Sequence, residues 1–380
     1  MLTRFEIGQS MKKPRVVVFG VGMGIVSALM PHFKQEFDVV ANIRPQMPRS
    51  KELLFLLLSA RWPKSRWRRR WRYYVEKTPY AFKQTTLSAQ RHLEELTGKY
   101  DFIITFGATH GLGRPNKPYI VFADFCRRLS SLNKHDEISH FRTAEEESTW
   151  LSLEGDVYRG AAHVFTGSSY VRNAMITHYK VEPERVTAIG FGAGLSFGER
   201  YEKHFDGRTI LYVGKGDFEK KGGLILLEAF TLVRKTLPEA RLHIVGQDRL
   251  PKIEGVVNEG ILTNRQRLVD LMRSAHVLTL PSLTDRFGVV LIEAMAASTP
   301  CISSDYAAMP EVVGDAGLVV PCNDAPALAT ALATLLTNED LSRRLGEIGR
   351  QRFETQYNWD VIWQTVSRII NRDVITSFDT

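Results

Sequence analysis

Residues 209–223 read TILYVGKGDFEKKGG: an apolar run closing on Gly214 and Lys215, a charged turn, then Lys221-Gly-Gly where a helix opens. A continuous apolar run bounded by glycine is how a parallel strand buried on both faces looks. The glycines let backbone N–H groups approach a ligand closely, and the start of a helix favours an anion. Lys215 and Lys221 add positive charge suited to a diphosphate leaving group. A plain basic surface turn has the same composition, and on these residues alone both readings stand.

The pattern repeats in both directions. Downstream lie short apolar runs at Arg241–Val245, His276–Leu280 and Pro300–Ser303. Upstream, Arg15–Phe19 runs into the glycine turn Gly20-Val-Gly22-Met-Gly24 and an amphipathic helix expected over Ile25–Glu36. Further runs follow at Asp101–Phe106, Tyr119–Phe122, His163–Thr166 and Val186–Ile189. Strands alternating with helices call for parallel sheets covered on both faces, so the fold class is α/β with two Rossmann-like domains. Such units bind ligands at the carboxyl ends of their strands. The chain has 380 residues, which fits two domains. Gly190–Arg208, rich in glycine and charge, reads as the linker between them.

A second stretch, PSLTDRFGVVLIEAMA at 281–296, places Asp285 in a loop after a strand and Glu293 eight residues later in an apolar helix. That spacing turns Glu293 back toward the strand ends, about two turns into the helix. A glutamate among Val-Val-Leu-Ile and Ala-Met-Ala is costly to bury without a partner, and the vicinal hydroxyls of a ribose would satisfy it. A neighbouring backbone or basic side chain is the other reading. Phe287 and Gly288 start the helix, so its free N–H groups share the loop of Asp285.

These elements, in this order, resemble the donor-binding domain of the retaining glycosyltransferases of family 4, over about Thr209 to Tyr357. The resemblance implies a GT-B fold of two Rossmann-like domains facing across a cleft, with a C-terminal helix crossing back to the N-terminal domain. Domains are expected at 1–195 (acceptor), 196–358 (nucleotide sugar) and 359–380 (crossover helix and tail). It implies Gly214, Lys215 and Lys221 on the diphosphate, Glu293 on the ribose, and Asp285 on the transferred sugar, supported by the backbone of Phe287, Gly288 and Val289. The base is expected on backbone near Ile261, with uridine and guanosine both open. Across the cleft, Gly22 would touch the diphosphate or sugar, unless those glycines serve only tight packing. Asp124 stands where the family often has histidine, and His110 could supply that imidazole instead, or be simply solvated. The family's first acid is usually Glu; here it is Asp285.

The expected activity is retaining transfer of a hexosyl unit from a UDP- or GDP-linked sugar to an acceptor hydroxyl, catalysed through Asp124, Asp285 and Lys221. The expected setting is cell-surface glycan or glycolipid synthesis. A glycan or lipid-linked acceptor is implied, and without a DxD motif no metal or other cofactor is expected. Other readings are a sugar-nucleotide epimerase or phosphorylase of the same fold, or a basic nucleic-acid-binding protein. A nicotinamide enzyme is disfavoured, because the first glycine turn is GxGxG and the next strand lacks an acidic ribose ligand.

Composition narrows the setting. Residues 1–190 carry 29 Lys/Arg against 18 Asp/Glu, whereas 191–380 carry 21 against 24, so a charge-attracted partner belongs to the first half. The sharpest anomaly is RWPKSRWRRRWRYY at 61–74. Trp67, Trp71 and Tyr74 share a helical face with Arg70 and other arginines around them. They suit an anionic membrane surface, or pack on the domain while the arginines stay wet; nucleic acid lacks an accompanying RNA-binding signature. LLFLLLSA at 53–60 is too short to span a bilayer, the start MLTRFEIGQS has no secretory core, and three scattered cysteines suit a reducing compartment. A cytoplasmic protein, peripheral at the inner membrane face, is the resulting expectation.

Overall fold

The computed structural model describes residues 13–20, 24–60, 64–133 and 141–376. Twelve strands lie among these residues. In chain order they are β1 (Arg15–Phe19), β2 (Asp38–Ile43), β3 (Phe102–Phe106), β4 (Tyr119–Ala123), β5 (His163–Thr166), β6 (Val186–Ala188), β7 (Thr209–Val213), β8 (Arg241–Val245), β9 (Val256–Gly260), β10 (Val277–Leu280), β11 (Cys301–Ser304) and β12 (Gly317–Val320). Helices fill the connections. In the first half they are α1 (Gly24–Glu36), α2 (Arg49–Ser59), α3 (Lys64–Glu76), α4 (Pro79–Glu95), α5 (Arg127–Leu132), α6 (Ala144–Gly160) and α7 (Ser169–Tyr179). In the second they are α8 (Gly223–Thr236), α9 (Arg265–Ser274), α10 (Val289–Ala296), α11 (Met309–Val313), α12 (Ala325–Thr337), α13 (Glu339–Gln356) and α14 (Trp359–Ile370).

The strands form two six-stranded parallel sheets, ordered β2-β1-β3-β4-β5-β6 and β12-β11-β10-β7-β8-β9. This is the α/β architecture expected of two Rossmann-like halves. In the second sheet the order reverses between β7 and β10, paired in parallel through Ile210 and Val277. Loops leaving neighbouring strands there depart in opposite directions, which opens a crevice at their carboxyl ends. The first sheet reverses between β1 and β3, whose following loops are the Gly20 turn and the turn carrying His110.

Two compact units follow from the packing: Met1–Phe122 with Ser148–Val164 and Ile369–Thr380, and Ala123–Glu147 with Phe165–Arg368. In the first, stacked Phe106 and Phe122 meet Phe33 of α1, and Trp150, Val157 and Tyr158 of α6 are core. In the second, apolar residues pack both faces of the sheet, led by Leu291, Ile292 and Met295 on one side and Leu226, Phe230 and Leu332 on the other. Ser168 caps α7, accepting the N–H of Val171 at 3.2 Å. The C-terminal segment from Ile369 belongs to the first unit, where Asp373 bonds buried His163 at 2.8 Å.

The stretch 190–208 contains no helix or strand, yet it is not a loose connection. Phe197 and Phe205 are buried, and the Lys203 ammonium donates to the carbonyls of Met272 (3.2 Å) and Arg273 (2.6 Å) and to Thr299 Oγ1 (2.7 Å). Burial lowers the Lys203 pKa to about 7.

Candidate active site

At the β7–β10 reversal two loops are stitched to each other. Gly222 takes φ +77°, and a Cβ there would stand 1.8 Å from the carbonyl oxygen of Pro281. Only glycine lets the turn before α8 rest against the backbone that follows β10. Leu283 N–H donates to the Lys220 carbonyl at 3.0 Å, and the buried Ser282 hydroxyl accepts the N–H groups of Thr284 and Asp285.

The stitching brings Lys221 onto Asp285, with Nζ 2.7 Å from Oδ2 and each side chain about a quarter exposed. The other oxygen, Oδ1, accepts the N–H of Gly288 at 3.0 Å. Gly288 itself sits at φ +78° and caps α10. The N–H groups of Val289 and Val290 precede any acceptor in α10, whereas Leu291 N–H bonds the Gly288 carbonyl at 2.8 Å. Lys215 is exposed past the end of β7, where the carbonyl of Gly214 is held by Gln247 Nε2 at 2.7 Å. The Lys221–Asp285 pair and the start of α10 therefore meet between the ends of β7 and β10, with Lys215 just past β7.

Glu293 lies one turn into α10 rather than two, because Gly288 breaks the helical path between Asp285 and Val289. Its carboxylate faces Gly194 of the 190–208 stretch, accepting that backbone N–H, and senses the charge of Arg265 on α9. Arg265 in turn donates to the Gly194 carbonyl. Burial dominates these contacts and pushes the Glu293 carboxyl up to about 7. Phe287 is buried edge-on against Phe191 (4.8 Å) and Tyr357 (6.4 Å), Val289 is partly open, and Ile261 is exposed just after β9.

Arg286, which the sequence did not single out, links Asp285 to a further carboxylate. Its guanidinium lies 4.5 Å over the Phe125 ring, donates to Ser130 Oγ at 3.3 Å, and bears electrostatically on Asp124. Asp124 is exposed at the end of β4, but the surrounding protein still pushes its carboxyl upward, with the Arg286 charge pulling the other way. Arg265 and Gly194 were likewise not singled out. Adjacency to Asp285 was the one available signal for Arg286; for the Gly194–Arg265 pair none exists in the sequence.

In the first unit, His110 is buried edge-on against Phe19 (5.6 Å), and neither ring nitrogen has a hydrogen-bond partner among the described residues. Burial lowers its pKa to about 4, so the ring is neutral. Gly22 lies outside the described residues. In α3, Trp67 donates its ring N–H to the Leu56 carbonyl at 2.8 Å, while Arg70 lies over the Tyr74 ring and Trp71 is partly covered. Among the described residues no group of three or more His, Cys, Asp or Glu side chains is arranged to hold a metal ion, and no helix is long and apolar enough to cross a membrane.

Residues 207–338 match the family model of the glycosyl transferases group 1. The matched span contains Lys215, Lys221, Asp285 and Glu293. Among curated relatives, the chain is similar to a phosphatidyl-myo-inositol mannosyltransferase of Mycobacterium leprae, 36% identical over 175 residues, 43% of this chain and 46% of that one. It is also similar to an MMP alpha-(1->4)-mannosyltransferase of Mycolicibacterium hassiacum, 29% identical over 233 residues, 57% and 56% of the two chains. The match thus spans about half the length of these relatives. Among solved structures, a UDP-forming trehalose-phosphate synthase of Burkholderia xenovorans shares the fold with TM-score 0.64 at 14% identity, over 95% of this chain and 99% of that one. The fold is GT-B.

Proposed function

We propose that this chain is a retaining hexosyltransferase that moves a sugar from a UDP- or GDP-linked donor to a hydroxyl of a glycan or lipid-linked acceptor. The observation that carries this reading is the Lys221–Asp285 pair at the β7–β10 reversal, with the start of α10 beside it and Glu293 one turn along. In the proposed reaction the anomeric C–O bond breaks through oxocarbenium-like charge, and the departing diphosphate gathers negative charge. On this reading Lys221, Lys215 and the first α10 N–H groups meet that charge, so they stabilise the transition state more than the ground state. The same groups supply the positive charge a divalent ion would bring, so turnover without added metal is expected. Glu293 takes the ribose hydroxyls, Asp285 a sugar hydroxyl, and Ile261 the neighbourhood of the base. Asp124 is assigned to the sugar or the attacking hydroxyl.

Retention, the nucleoside diphosphate and the acceptor class rest on the resemblance to family 4 and on the named relatives, one a phosphatidyl-inositol mannosyltransferase and one a UDP-forming synthase. They support cell-surface glycan or glycolipid synthesis, and the basic first half of the sequence supports a cytoplasmic side with a peripheral membrane contact. The test combines a thermal-shift panel of uridine, guanosine and adenosine diphosphate sugars with Lys221→Ala. One nucleotide class should stabilise the protein, and Lys221→Ala should stay folded, melting within a few degrees of the parent, while losing on the order of 100-fold in turnover. Near-parent turnover in that variant would remove the lysine from the reaction.

A further inference from the structure

Four leucines on one face of α2 are uncovered among the described residues. Leu53, Leu54, Leu57 and Leu58 recur at i, i+1, i+4 and i+5 and are 59%, 53%, 73% and 60% exposed. They are not the frayed edge of a core, because α2 packs through another face. There Phe55 stacks on Tyr74 at 5.3 Å and meets Tyr80 edge-on at 5.7 Å, Ser59 is buried, and Lys51 bonds Gln84 at 2.8 Å. Scattered exposed leucines need no explanation, whereas four that share one face of a helix do. Beside them runs α3. Its aromatic side is turned onto α2 through the Trp67–Leu56 bond and the Tyr74 stack, and Arg66, Arg68 and Arg72 are left in solvent. The two helices together carry eight Lys/Arg against two Glu.

We propose that the α2–α3 hairpin is a docking surface for an anionic lipid bilayer. Its leucines enter the acyl boundary while the α3 arginines stay among the lipid phosphates. Each half of the surface removes a rival. Nucleic acid would answer the arginines but leave the aliphatic face wet. A second copy of the chain could cover the leucines, but it would bring two strongly basic hairpins together. An anionic bilayer satisfies both. The purpose of such docking rests on the lipid-linked acceptor proposed above; its physical basis does not.

The test is co-sedimentation of the full chain, without donor or acceptor, with vesicles of phosphatidylcholine alone or mixed with phosphatidylglycerol. Binding is expected to the anionic vesicles only, weakening with salt. Leu57→Ser combined with Leu58→Ser should lower partitioning about tenfold or more with unchanged circular dichroism and melting. Arg66, Arg68 and Arg72 changed together to Gln should lower it roughly 10- to 100-fold. Absence of binding by the parent chain, or equal binding by the leucine variant, overturns the proposal. A dimer in sedimentation velocity that the leucine variant dissolves, without vesicle binding, would assign the face to self-association instead. Failure here leaves the nucleotide panel untouched, since no nucleotide enters the assay.

Discussion

Replacing Glu293 with Gln separates what its carboxylate costs the fold from what it gives a ligand. Burial raises the folded-state pKa from 4.5 to about 7, so between those values the folded protein holds a proton that the unfolded chain has released. Stability therefore falls as pH rises from 4.5 toward 7 and stays reduced above it, where both states are ionised. At about 1.4 kcal/mol per pH unit the ceiling is roughly 3 kcal/mol, and residual solvent contact brings the expected value nearer 2. Gln keeps the shape and never ionises. Glu293→Gln should thus melt a few degrees above the parent at pH 8, with the difference shrinking toward pH 5. Nucleotide affinity should move the opposite way, because the ribose loses a charged acceptor worth about 1.5–3 kcal/mol, or roughly 10- to 100-fold in Kd. Paired melts at pH 5 and 8, with and without the stabilising nucleotide, read both effects. A variant that melts lower at pH 8, or gains equally at both pH values, refutes the buried-charge argument; unchanged nucleotide affinity refutes the ribose role.

Two further substitutions test the frame around the site. Gly222→Ala puts a methyl 1.8 Å from the Pro281 oxygen at a φ of +77°, so the loops must separate. A loss of about 3 kcal/mol in denaturant unfolding is expected, and an unchanged midpoint would show that the loops are not held by this contact. Asp373→Ala takes away the acceptor of the buried His163 Nδ1, and should cost about 1–3 kcal/mol in the same measurement. The neighbouring Arg372 holds the Asp373 carboxyl below its usual range, so the parent's advantage should fade as pH drops through the acid range. An advantage that persists there would deny the pair its role.

What the sequence displayed was the strand pattern. Runs such as TILYV and HVFT are largely apolar because their strands are covered on both faces, and the structure places them within a residue of where the runs begin and end. Two strands escaped. β9 reads VVNEG, with Asn258 and Glu259 at the outer edge of its sheet, and β12 has four residues opening on glycine, so neither makes an apolar run. The lysines and carboxylates of the site were visible because chemistry and spacing agreed within single loops. Partners brought from elsewhere in the chain, Gly194 and Arg265 beside Glu293 or Arg286 over Phe125, leave no local trace. The α2 leucines were in plain view as an apolar run. Which of them face solvent depends on where α3 and α4 pack, and an all-apolar helix carries no periodicity to reveal that.

The aspartate at 285, where the resembling family usually has glutamate, follows from the geometry around it. Its two oxygens are engaged in different directions, one by the Gly288 N–H at 3.0 Å and one by Lys221 at 2.7 Å, while its own N–H holds Ser282. A glutamate would carry the carboxylate a methylene beyond Gly288 and could not keep both bonds from the same backbone position. Asp285 therefore acts as a strut between the loops after β7 and β10 before any ligand arrives. On the proposed reading, an incoming diphosphate draws Lys221 partly away and leaves Asp285 Oδ2 turned to the sugar as an acceptor. Donor binding then exchanges one ion pair for another. Part of the desolvation of Lys221 is already met in the free protein, and the lysine needs little ordering at the moment the diphosphate departs.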